Sequence, residues 1–288
     1  MKQTLCLLGL LSLFATTHAL ADQTLQASRV AQAPVVDGNA QDPEWAAAKA
    51  LVTRDRVAKI DITLKAIYTA DEIFFLLRFP DTTENRVHKM LQWDKEMEIY
   101  KPGPTREDAI ILKWSMEPLP VDLSLTSEQP YKADIWYWKS YRTGHAGYAD
   151  DKYQIYSNLP LPKSKRLLSG EGNTFYLIRK GDAGQSAYQG ASPIEYQGEE
   201  TPAYKLRKPS GSRADVRAKG QWNNGFWSVE FSRKLVTGHH DDVALEAGRS
   251  YRFGVSRYEI AGRKAESDIE NPLFGAGDIG EHLMLQLR

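Results

Sequence analysis

Apolar and polar residues alternate with a period of two over much of this chain, the pattern of half-buried strands. In residues 63–69, Leu64, Ala66 and Tyr68 fall on one face; Ala70-Asp71 then turns the chain into residues 72–79. There Phe74, Phe75, Leu76 and Leu77 are apolar on both faces, which predicts a strand covered on both sides. Residues 108–115 form another strand, carrying Trp114 and delivering Met116 at its exit before Pro118 and Pro120 stop it. Gln221-Trp222 and Phe226-Trp227 flank Asn223-Asn224-Gly225, a hairpin signal. Further alternation follows in Trp227, Val229 and Phe231, in Tyr251, Phe253 and Val255, and in Leu283, Leu285 and Leu287.

Helix signals are few. Asp42-Pro43-Glu44-Trp45 reads as a short helix start, with Asp42 as N-cap and Pro43 in the first helical position. Pro34-Val35-Val36-Asp37-Gly38 reads as a short strand and turn, and residues 84–104 as a structured loop over the sheet. Many short strands without βαβ units predict an all-β fold, an antiparallel β-sandwich with long loop insertions and short helices. Residues 22–33 are polar and read as a flexible lead-in to one domain over 34–288. Within it, residues 158–211, rich in Gly, Pro, Ser and Lys, read as a long insertion.

The N-terminus alters the picture. Lys2, the apolar run 5–14 and Ala19-Leu20-Ala21 have the pattern of an export signal, with cleavage expected after Ala21 and a periplasmic mature chain. No later run approaches the ~20 apolar residues of a membrane span. The single cysteine, Cys6, falls inside the signal. A mature chain without cysteine excludes disulfides, thiolate zinc sites, iron–sulfur clusters and covalent C-x-x-C-H haem. Formal charge is balanced and no basic run stands out, so nucleic acid is not an expected partner.

Candidate chemistry concentrates in residues 134–151. Five aromatics, three carboxylates and the cationic or potentially cationic Lys139, Arg142 and His145 lie there. Trp136 and Trp138 share one parity, so an extended backbone points both to one side. From Thr143 onward, Gly144, Gly147 and Asp150-Asp151 read as loop. An aromatic wall ending in a polar loop suits a flat, largely apolar ligand with charged edges; a sandwich-core strand followed by a turn is equally consistent. Catalytic motifs are missing: there is no G-x-S-x-G, H-E-x-x-H or phosphate-cradling loop. His239-His240-Asp241-Asp242 follows Thr237-Gly238 in a surface turn, where neighbours point apart and do not readily share one ion. Met116 reads as core filler or ligand, Lys264 as a solvated side chain or ligand, and His88 and His145 as loop histidines near aromatics.

Several of these segments occur in a known order. Val36-Asp37-Gly38 precedes Asp42-Pro43-Glu44-Trp45; Asp134 to Lys139 precedes Gly147 to Asp151. Asp182-Ala183-Gly184, then 214–235, Asp241-Asp242-Val243 and Tyr251 to Val255 complete the series. From Val36 onward the chain resembles the haem-binding domain related to the γ subunit of ethylbenzene dehydrogenase and other dimethyl-sulfoxide-reductase-type complexes. That resemblance implies an immunoglobulin-like or carbohydrate-module-like sandwich holding one non-covalent haem b, no substrate chemistry of its own, and transfer of single electrons. Its expected partner is a molybdenum enzyme's iron–sulfur subunit or another cytochrome. The positions of Met116 and Lys264 match the family's methionine and lysine iron ligands. Trp136, Tyr137 and Trp138 would wall the haem, and Lys139, Arg142 or His145 would meet its propionates. Tyr137 stands where many relatives have histidine, and the 158–211 insertion exceeds that of the compact γ subunits. A different ligand pair would draw on His88 or His145. The alternative is a carbohydrate-binding module of similar fold, stacking sugars on Trp136 and Trp138.

Overall fold

The computed structural model describes residues 22–55, 59–258 and 278–288. Its strands are β1 (Gln23–Arg29), β2 (Leu51–Asp55), β3 (Ile60–Tyr68), β4 (Glu72–Pro80), β5 (Leu91–Asp94), β6 (Ile99–Pro102), β7 (Ala109–Ser115), β8 (Tyr131–Lys139) and β9 (Asp150–Ser157). There follow β10 (Lys165–Leu168), β11 (Thr174–Gly181), β12 (Tyr188–Gly190), β13 (Glu200–Thr201), β14 (Tyr204–Leu206), β15 (Arg217–Asn223), β16 (Phe226–Lys234), β17 (Ser250–Tyr258) and β18 (Leu283–Leu287).

Two layers face each other. One runs β10-β11-β9-β8-β7-β17-β18, the other β3-β4-β16-β15 with β2 on β3. β1 is the seam between them: Gln23 to Ala27 pair with β18, and Ser28 and Arg29 pair with β3. Both pairings are parallel, whereas the neighbouring pairs within the two layers are antiparallel. The all-β sandwich expected from the alternation is therefore the fold. Residues 22–33 are not a lead-in, because Leu25 and Ala27 alternate into the core and make the segment a strand.

The main core lies between the layers. Ile110, Leu112, Trp114, Trp136, Trp138 and Phe253 meet Leu64, Phe75, Leu77, Phe79, Trp227 and Phe231 across it. Each layer also has a covered outer face. Ile111, Ile135, Phe175 and Leu177 are roofed by Val121, Leu123, Leu125 and Ile279; Ile67, Phe74 and Leu76 are covered by Trp45. The doubly apolar run at Phe74–Leu77 thus marks a strand buried on both sides, as its composition predicts.

Helix content is confined to short 3-10 turns among the described residues, including Pro43–Ala47. Asp42 does not cap that turn with its side chain; its carboxylate accepts the Val35 N–H at 2.7 Å. Trp45 donates its indole N–H to Glu230 Oε1 at 2.8 Å, and Glu230 Oε2 accepts the N–H groups of Asp37 (3.0 Å) and Gly38 (2.7 Å). The Asp-Gly and Trp of the opening motif therefore meet on one buried carboxylate. Gly38 is required there: its φ is +84°, and a Cβ would lie 2.8 Å from Gln221 N.

The insertion also differs from expectation. β10 and β11 extend the first layer beyond β9, while β12 and β14 form a separate ribbon. The expected loop at 84–104 contains the β5–β6 hairpin, which β13 joins. At the hairpin after β15, Asn224 and Gly225 take positive φ (49° and 79°), the demand that made Asn-Gly legible in the sequence.

Candidate functional site

The central strand β8 sorts its residues by parity. Asp134, Trp136 and Trp138 point between the layers; Ile135 and Tyr137 point to the outer face. Trp136 packs on Trp114 and Phe75 with centroids 5.2 and 5.7 Å away, and Trp138 on Trp227 at 5.0 Å. Both indoles are 0% exposed. They lie on one side, as the spacing predicts, but that side is the sandwich core. The reading that has them walling a ligand, or stacking on sugar rings, is corrected: the second layer already fills the space over their faces. Gly220 records how closely, since a Cβ there would meet Trp138 at 2.4 Å.

At the C-terminal end of β8 the outer face turns polar. Lys139 Nζ contacts Asp150 Oδ2 at 2.6 Å and Tyr188 Oη at 2.8 Å, and sits 4.3 Å from the centre of the Tyr137 ring. Arg213 and Lys152 also face Asp150. Burial alone would raise the Asp150 carboxyl, but Lys139, Lys152 and Arg213 hold it well below the usual carboxylate range. Burial brings Lys139 down to about 8 against the pull of Asp150. Next to this group, Glu107 accepts the N–H groups of Tyr141 (2.9 Å) and Arg142 (2.8 Å) and pairs with the Arg142 guanidinium. His88 Nδ1 lies 3.5 Å from Glu107, and burial, then Arg142, lowers its pKa to about 2, leaving it neutral. The Arg142 guanidinium lies over Tyr188 and Tyr204. His145 is exposed, its Nδ1 3.1 Å from the Tyr141 carbonyl.

Lys139, Arg142, His88 and Tyr137 thus form one cluster, with Glu107, Tyr188 and Arg213, which sequence reasoning missed. Lys139 and Arg142, expected to meet propionates, are already engaged with buried carboxylates. Beyond Tyr204 opens a cleft of about 630 Å³ lined by Lys89, Leu91, Tyr100, Pro102, Ala191 and Tyr204.

Met116 is at the other end. β7 and β8 pair Ala109 with Lys139 and Ser115 with Ala133, so the cluster and Met116 are a strand length apart, about 20 Å at ~3.3 Å per residue. Neither His88 nor His145 can therefore share one ion with Met116. Met116 is half-buried, its N–H on the Lys132 carbonyl at 3.1 Å. The loop it opens is fastened along its length. Lys113, fully buried, donates to the Leu123 carbonyl (2.6 Å); Arg252 donates to the Val121 carbonyl (2.7 Å). Leu123 N–H donates to His282 Nε2 at 2.9 Å and Leu125 N–H to Asp278 Oδ1 at 3.0 Å. Asp278 and His282 follow directly on the segment 259–277. Lys264 belongs to that segment and lies outside the described residues, as do Cys6 and the rest of residues 1–21, which the sequence pattern suggests are an export signal.

These features define a two-layer β-sandwich module whose loops at opposite ends carry its polar chemistry, with no helix among the described residues long and apolar enough to cross a membrane. The chain belongs to the ethylbenzene dehydrogenase family, whose model matches residues 32–268. No curated protein sequence matches it significantly. Among solved structures it is similar to a carbohydrate binding module family 9 protein from Caldicellulosiruptor kristjanssonii. The complex with glucose has 10% identity, with 92% of this chain and 96% of that chain covered, at a TM-score of 0.41. The complex with cellotriose has 12% identity, covering 92% and 95%, at 0.41. A putative carbohydrate-binding protein from Bacteroides uniformis has 11% identity, covering 93% and 100%, at 0.41.

Proposed function

We propose that the chain is a periplasmic electron-transfer module that carries one non-covalent haem b and does no substrate chemistry itself. Its partner would be a redox enzyme of the molybdenum class, through an iron–sulfur subunit, or another cytochrome. The observation that carries this reading is the family match over residues 32–268, a range that contains both Met116 and Lys264. The loop opened by Met116 is hydrogen-bonded to Asp278 and His282, which come after residues 259–277 in the chain. In a chain of this family, the thioether of Met116 and the amine that the sequence resemblance assigns to Lys264 match the donor set of such a haem.

Met116 and Lys264 would hold the iron. A bis-ligated haem supplies reversible one-electron chemistry with no open coordination position. This chain's own residues supply the rest. The Lys132 carbonyl fixes the backbone at Met116, and the Leu123 and Leu125 anchors hold its loop against the outer face of the first layer. Half-burial of Met116 keeps the site near the surface, where a partner can approach.

The test is a visible spectrum of protein purified from the periplasm, with a haem titration. A sharp Soret band and reduced α and β bands are expected, and Met116→Ala should shift them and weaken haem retention. Protein that stays colourless when haem is supplied, yet is retained on a polysaccharide column, would overturn the proposal in favour of a sugar binder.

A further inference from the structure

Between the layers, beside Trp136 and on the opposite face of β8 and β9 from the Lys139–Asp150 pair, four carboxylates converge. Asp134 comes from β8, Asp151 from β9, Asp182 from the residue after β11 and Asp242 from the loop between β16 and β17. Asp134 and Asp151 share the inward face of adjacent strands. The Asp182 N–H on the Asp151 carbonyl (3.3 Å) brings the third carboxylate beside the second. One oxygen each from Asp134, Asp151 and Asp242 lies within 4.8 Å of the other two.

The partners of these oxygens are few. Asp134 Oδ2 accepts from Arg233 Nη1 (2.6 Å) and the Val243 N–H (3.0 Å), and Asp242 Oδ2 from Thr237 Oγ1 (2.5 Å). Asp242 Oδ1 is 3.4 Å from Arg233. Among the described residues, however, both oxygens of Asp151, both of Asp182 and Oδ1 of Asp242 meet no donor outside the cluster; the Asp151 and Asp182 carboxyl groups face each other, and the Trp136 indole faces Asp134. Asp151 is 0% exposed. A fully buried carboxylate whose two oxygens meet no outside donor, one of them aimed into the cluster, is a second observation beyond acidity itself. Arg233, stacked 4.6 Å from the Trp136 ring, is the cation that faces these carboxyl groups. Burying charge without a partner costs several kcal/mol per ion.

The donor set selects the ligand. Carboxylate oxygens suit hard cations rather than zinc or copper. Ca²⁺ takes six to eight oxygens at ~2.3–2.6 Å, so ligands on opposite sides lie up to about 5 Å apart, a span that accommodates oxygens lying within 4.8 Å of one another. Mg²⁺ requires closer, near-octahedral ligands and keeps its waters. We propose that Asp134, Asp151, Asp182 and Asp242 form a structural Ca²⁺ site. It ties the first layer and the end of β11 to the β16–β17 loop, beside the Arg233 guanidinium. His239 and His240 stay exposed on the outside of this turn, with His239 on Asp215 (2.5 Å). The Asp241-Asp242 motif therefore contributes a carboxylate to the buried cluster, while His239 meets Asp215 and the outer oxygen of Asp242 from the exposed side.

The experiment uses the mature chain, stripped with chelator and dialysed, then titrated with CaCl₂ by calorimetry and by thermal melts. One Ca²⁺ per chain and a rise in melting temperature are expected, with Mg²⁺ at the same concentration much weaker. Asp151→Asn should cut Ca²⁺ affinity at least 100-fold and abolish the melting shift, while melting no lower than wild type in chelator. Should that variant not fold, Asp182→Asn reads the same two quantities. No shift in wild type at millimolar Ca²⁺, or an equal shift in wild type and variant, overturns the proposal. Neither result bears on the haem, since Met116 and Lys264 take no part in the titration.

Discussion

Replacing Glu230 by glutamine should loosen the opening motif from the sandwich by an amount the structure sets. The Glu230 carboxylate is buried and accepts three N–H groups: two backbone donors on Oε2 and the Trp45 indole on Oε1. Glutamine keeps one oxygen. If it serves Asp37 and Gly38, its NH₂ faces the indole, donor against donor. Losing one hydrogen bond to a charged acceptor and stranding a buried N–H costs about 2–3 kcal/mol. Trp45→Phe removes the indole donor and leaves Oε1 unmatched, at about 1–2 kcal/mol. In the double variant the offending donor is gone, so its cost should fall below the sum by about 1 kcal/mol or more. Urea unfolding followed by circular dichroism measures all four proteins, with an unchanged m-value as the two-state check. Packing lost with the indole is common to both backgrounds and cancels in the cycle. Additivity within about 0.3–0.5 kcal/mol would refute the claim that Glu230 and Trp45 act through this hydrogen bond.

Other expectations concern backbone and charge. Gly38→Ala combines φ +84° with a Cβ 2.8 Å from backbone atoms of Gly220 and Gln221, and should cost about 3 kcal/mol in the same assay; a loss under 1 kcal/mol contradicts the contact. His88, lowered to about 2 by burial and then Arg142, is neutral when folded and protonates when unfolded below about 6.5. Its contribution is therefore present above that pH and lost as pH falls, by about 2 kcal/mol between pH 7 and 5. His88→Gln should flatten that part of the stability–pH curve, and an unchanged slope would show that His88 titrates freely in the fold.

Much of the architecture was readable from local pattern. Alternation marks β3, β16, β17 and β18, and the double-sided run Phe74–Leu77 marks a strand with two covered faces. β1 escaped because polar Gln23, Thr24, Gln26 and Ser28 outnumber its two inward residues. Their importance appears only once β18 and β3 flank them. β10 and β11 escaped for a related reason: β10 buries none of its four residues, and β11 runs from Phe175, Leu177 and Ile178 into exposed Arg179 and Lys180, so the apolar signal is weak.

The candidate sites were less legible. The sequence places Trp136 and Trp138 on one side of a strand, but whether that side is pocket or core depends on the second layer. It likewise displays Lys139 and Arg142 in an aromatic context, yet their partners Asp150, Glu107 and Tyr188 arrive from other elements.

Covalent geometry makes side chains alternate along an extended chain, so period, turn chemistry and fold class follow from residue order alone. Charge is different. Whether a carboxylate is paired, stranded or shared is decided by what another segment brings within a few ångströms after burial removes water. Only the tertiary structure set Asp150 among cations and left Asp151 facing other carboxylates, although the two are adjacent in the chain.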